Sequence, residues 1–151
     1  MKFKITDDKI AEIEKVLETK ITKRGDQYRA VLESPEQNRK LTLEIYPEIP
    51  IGERNGNLIC VFTSSAHAQL HFCTGFVASE VLGEVVFIGE HKGHLSGIIV
   101  EKAAAFSNYS NVDAALLSSD FTKLGPEVML SGVALSMAEH LLEENPDPDS
   151  K

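Results

Sequence analysis

The chain has 151 residues, 42% hydrophobic and 25% charged, with a net charge of −8, the composition of one ordinary globular domain. No apolar run approaches the ~20 residues that span a bilayer. Residues 1–40 carry ten Lys/Arg against eight Asp/Glu and residues 41–151 five against fifteen; so acidic a surface argues against nucleic acid held through its phosphates and against anionic membranes.

The N-terminal stretch MKFKITDDKIAEIEK is too charged for the apolar core of a signal peptide, so a cytoplasmic chain is expected. Lys2 to Ile5 alternates and reads as a short strand. Thr6 reads as an N-cap with Asp7 and Asp8 in the first turn of a helix reaching about Thr19. Ile10, Ile13, Val16 and Leu17 make one narrow apolar stripe, which docks that helix on a single face. Lys23 to Asp26 is a turn; its embedded Arg-Gly-Asp is too short a match to carry an adhesion function.

From Gln27 the pattern changes to short strands separated by turn residues. Tyr28–Glu33 and Lys40–Tyr46 are strands around a polar turn at Ser34–Asn38. Pro47 and Pro50 mark an edge or a bent connection. Asn55-Gly56 gives the strongest hairpin signal. Leu58–Thr63 is apolar throughout and is expected centrally, covered on both faces. Ala68–Val77 reads as one strand, with Leu70, Phe72, Thr74 and Phe76 sharing a face. Glu84–Glu90 and Leu95–Lys102 flank a tight turn at His91–His94. Asn111 or Asp113 is a candidate cap for a short helix through Leu117.

Gly125–Glu144 has the clearest helical spacing, with Pro126 in its first turn and Leu130, Val133, Met137 and Leu141 on one face. Its wide apolar circumference predicts a rod held in a concave surface. The tail 145–151 is acidic, contains two prolines and is expected to be disordered. The fold expected is therefore α+β: an antiparallel meander of about six strands on a long C-terminal helix, with a short N-terminal helix. Residues 1–144 form a single domain.

Candidate chemistry is sparse. His91 and His94 face each other across their hairpin and are candidate ligands for a metal ion, with Glu90 or a neighbouring loop as third ligand. His67 and His71 stand too far apart on an extended chain to share one. Cys60 and Cys73 read as buried free thiols, and Cys73 is too far from His71 for a nucleophile pair. No serine sits in a nucleophile motif, and Gly89, Gly93 and Gly97 lie outside a strand-to-helix phosphate loop. No catalytic residue and no cofactor are assigned.

The function expected is a non-enzymatic binding or adaptor domain, chaperone-like, that works through protein contacts as a homodimer. Two alternatives stand beside it. One is a protein with a pocket for a small apolar ligand, lined by Met129, Met137 and phenylalanines. The other is a metal or enzymatic site at His91 and His94.

Overall fold

The computed structural model describes residues 3–113 except Gly93, with the backbone alone at His91 and at 111–113. Thr6 starts helix α1 (Asp7–Leu17), accepting the Lys9 N–H on its side-chain oxygen at 3.4 Å. Glu18 ends it in the left-handed conformation, with φ of 53°. Ile10, Ile13, Val16 and Leu17 are buried, as their spacing predicts. Glu14 accepts the Ile21 N–H at 2.6 Å, and Asp7 accepts the Tyr28 hydroxyl at 2.8 Å, so both ends of the helix are tied to the strands that follow. Phe3 to Thr6 form no strand; Phe3 and Ile5 pack on the core instead.

Nine antiparallel strands follow among the described residues: β1 (Thr22–Arg24), β2 (Gln27–Ser34), β3 (Arg39–Ile51), β4 (Arg54–Phe62), β5 (His67–Leu70), β6 (Cys73–Ser79), β7 (Glu84–His91), β8 (His94–Glu101) and β9 (Ala105–Asp113). Strands β1 to β5 form one sheet and β6 to β9 a second, each ordered as in the sequence. The chain crosses between them at His71 and Phe72, where Phe72 takes a φ of 55°. The sheets face each other: β4 meets β6, and β5 meets β7 and β8.

The inner faces follow the period-two rule. Ala30, Leu32, Leu41, Leu43, Ile45, Ile59 and Val61 come from the first sheet, Val85, Phe87, Ile98 and Val100 from the second, and all share one cluster with α1. The second sheet is also closed on its outer face, where Val86 is 1% and Ile99 5% exposed. Helix α1 lies against β6 and β7. The pairs Lys15–Glu80 (2.9 Å) and Lys102–Glu18 (2.8 Å) join it to hairpin tips of the second sheet, but they are exposed and each adds little.

This corrects the expected fold. Among the described residues the architecture is two facing sheets, of five and four strands, with one short N-terminal helix, and not a single six-strand sheet. Gly125–Glu144 and the tail 145–151 lie outside the described residues. Among the described residues the core between the sheets is built by the two sheets and α1. No helix among the described residues is long and apolar enough to cross a membrane.

Three local corrections have physical causes. Ala68–Val77 is not one strand, because the corner at His71 and Phe72 divides it between the sheets. Asn111 and Asp113, read as candidate caps of a short helix, lie instead in β9, which pairs with β8. Asn55-Gly56 is not the turn: Ile51 pairs with Arg54, and Gly52 takes the positive φ of 64° as first turn residue, the pattern of a type II′ hairpin. Pro47 and Pro50 lie in the last part of β3, which is an edge, as the prolines predict. They are tolerated because pairing with β2 stops at Ile45, so beyond it β3 is bonded on one side only.

Candidate functional site

The chain crossing between the sheets builds a cleft. Tyr46 pairs with Leu58 and Ile49 with Gly56, so Pro47 and Glu48 together oppose Asn57 in a bulge. Asn57 is 3% exposed. Its side-chain oxygen accepts the Glu48 N–H at 3.0 Å, repairing the broken ladder, and its amide donates to the Cys73 carbonyl at 3.1 Å and the Phe3 carbonyl at 3.4 Å. One side chain thus joins the bulge, the start of β6 and the N-terminal segment.

Two glycines let the corner come close. A Cβ on Gly56 would run into the Phe72 ring. One on Gly89 would stand 3.0 Å from the His71 carbonyl oxygen. Thr74 is the extra residue of a second bulge, between Cys73–Gly89 and Gly75–Ile88, and its hydroxyl donates to the Ile88 carbonyl at 3.3 Å.

The result is a cleft of about 360 Å³, lined by Arg54 to Asn57 of β4, by Phe72 to Thr74, and by Phe3 and Glu90. Arg54 lies over the Phe72 ring, its guanidinium carbon 4.3 Å from the centroid. It makes no ion pair among the described residues. The walls therefore offer aromatic surface, a cation at the mouth and a carboxylate, Glu90, at the rim.

Cys73 is not an ionised nucleophile. Burial pushes its thiol up to about 11, and the sulfur donates to the Gly75 carbonyl at 3.2 Å. His71 instead bonds Gln69, at 3.3 Å. Cys60 is likewise free and buried, its thiol raised by burial and by Glu44. His67 stacks on Phe62, with centroids 5.5 Å apart.

The register sets His91 opposite His94 across the β7–β8 turn, with Lys92 at a φ of 52°. The His91 side chain lies outside the described residues, as do Met129 and Met137 of the expected apolar pocket. Among the described residues no group of three or more His, Cys, Asp or Glu is placed to hold a metal ion.

Sequence reasoning took Arg54, Asn55, Gly56 and Asn57 as turn residues and so missed the cleft. The available signal was the proline pair upstream, which marks a place where β3 has lost a neighbour. Comparison of the chain with protein-family models, curated proteins and solved structures finds no match.

Proposed function

We propose that the protein is a binding protein whose Phe72 cleft takes a small ligand with an aromatic or apolar body and a carboxylate. The observation that carries this reading is the Arg54 guanidinium, 4.3 Å over the Phe72 ring at the mouth of a 360 Å³ cleft, with no carboxylate paired to it among the described residues. A guanidinium over a ring face keeps N–H groups free for an incoming carboxylate. The volume falls within the range of small-molecule sites. The protonated Cys73 thiol supports binding over covalent catalysis.

The test is an amide NMR titration with 3-phenylpropionate and its uncharged amide. The acid is expected to shift Asn55, Gly56, Phe72 and Thr74, with the amide binding more weakly. Arg54→Gln should weaken the acid by about tenfold or more, the value of one charge-assisted contact. Absence of saturable shifts at those four residues, or equal binding of acid and amide, removes the proposal.

A second reading, contact with a protein partner or a second copy of the chain, draws on one observation. The β6–β7 tip carries Val81 at 94% and Leu82 at 53% exposure, held out by bonds from Leu82 N–H to the Ser79 hydroxyl and Gly83 N–H to the Ser79 carbonyl. Light scattering behind size exclusion tests the homodimer form. A dimer that Val81→Asp converts to monomer supports it; a monomer at tens of micromolar counts against it.

A further inference from the structure

At the other end of β3, roughly 40 Å from the Phe72 cleft along a strand of this length, three connections converge: the turn before Arg39, the β4–β5 turn and the β8–β9 turn. They enclose a second cavity of about 320 Å³. We infer that this cavity is a binding site for a phosphate monoester, an oxyanion carried on a small apolar or aromatic group.

The chain is acidic overall, with a net charge of −8, yet among the described residues this cavity is lined by Arg39 and Lys40 and by no carboxylate. Neither cation makes an ion pair among the described residues. Glu33 stands opposite Lys40 in the β2–β3 ladder but does not line the cavity.

Hydroxyl donors complete the set. The Thr63 side chain is spent on its own turn, accepting the Ala66 N–H at 3.0 Å and the Ser65 N–H at 3.4 Å and donating to the Ala66 carbonyl at 3.1 Å. That fixes the turn and leaves the exposed Ser64 and Ser65 hydroxyls without a protein partner among the described residues. Cationic and hydroxyl donors from two turns suit a tetrahedral oxyanion better than a planar carboxylate, which one guanidinium satisfies. The third wall is apolar, Ala104 to Phe106, and the volume exceeds what a bare phosphate fills. It accommodates the group that the phosphate carries.

The two cations are not equivalent. Arg39 has the strand parity of Leu41 and Leu43, which face the core, so it stands on the side of β3 that looks toward the second sheet. Lys40 has the opposite parity and borders the cavity from the rim. Arg39 is assigned the direct contact, and Lys40 a long-range attraction that salt screens.

The test is an amide NMR titration with phenyl phosphate, inorganic phosphate and phenol on wild type, Arg39→Gln and Lys40→Gln. Phenyl phosphate is expected to shift Ser64, Ser65 and Phe106 and to bind about tenfold or more tightly than either fragment. Arg39→Gln should weaken it by about tenfold or more, and Lys40→Gln by about threefold or less. Arg54→Gln should change nothing here. Both cations are exposed, so either variant keeps the fold, which the dispersion of its spectrum reports. Lack of saturable shifts at the three residues, equal losses in the two variants, or equal binding of phenyl phosphate and phenol would overturn the assignment.

Discussion

Asn57 holds the cleft together through bonds that no neighbouring group replaces. Asn57→Leu removes all of them and leaves the part-buried Glu48 N–H and the buried Cys73 carbonyl without these partners. It is expected to cost about 2–4 kcal/mol in urea denaturation. Tyr109 presents the opposite case: its hydroxyl is buried with no hydrogen-bond partner among the described residues. Tyr109→Phe removes that orphan group and should leave stability unchanged or raise it by about 1 kcal/mol. The Tyr109 ring lies where a Cβ on Gly97 would sit, so Gly97→Ala should destabilise by about 2 kcal/mol. Burial raises the Cys73 thiol from 9.0 to about 11 and the Tyr109 hydroxyl from 10.0 to about 12. Both groups are neutral when protonated, so above its ordinary value each binds more proton in the folded than in the unfolded chain. Their contribution is complete below pH 9 and is lost as pH climbs from about 9 to about 12. Urea midpoints should fall over that window, and less steeply in Cys73→Ala.

At the scale of elements, α1 was legible because its signals agree: a Thr6 cap, acidic residues in the first turn and an apolar stripe at helical spacing. Thr6→Ala should lower stability by about 1 kcal/mol on thermal denaturation. Strands β2, β7 and β8, and the first part of β3, were legible from alternation and turn residues. The β3–β4 turn was not. A turn centred on Asn55-Gly56 would set Val61 opposite Pro50; the observed one sets Val61 opposite Leu43 and Ile59 opposite Ile45, all four buried. Register between apolar residues outweighs a local turn preference. The same competition hid the cleft, since residues that look like turn formers became the strand that lines it.

At the scale of the whole molecule, apolar strands buried on both faces are equally compatible with one wide sheet and with two stacked ones. Local pattern could not choose between them, because the choice is made at His71 and Phe72, where Gly56 and Gly89 supply the room. Composition, charge and periodicity by themselves determined an acidic chain with a capped amphipathic helix, a run of antiparallel strands and buried thiols, since each of these depends on residues near one another in sequence. Only the tertiary structure decided that the strands divide into two facing sheets, that Arg54 meets Phe72, and that Arg39 lines one cavity with the β4–β5 turn. Those contacts join segments far apart in the chain, and their energies come from burial and register, which no short window contains.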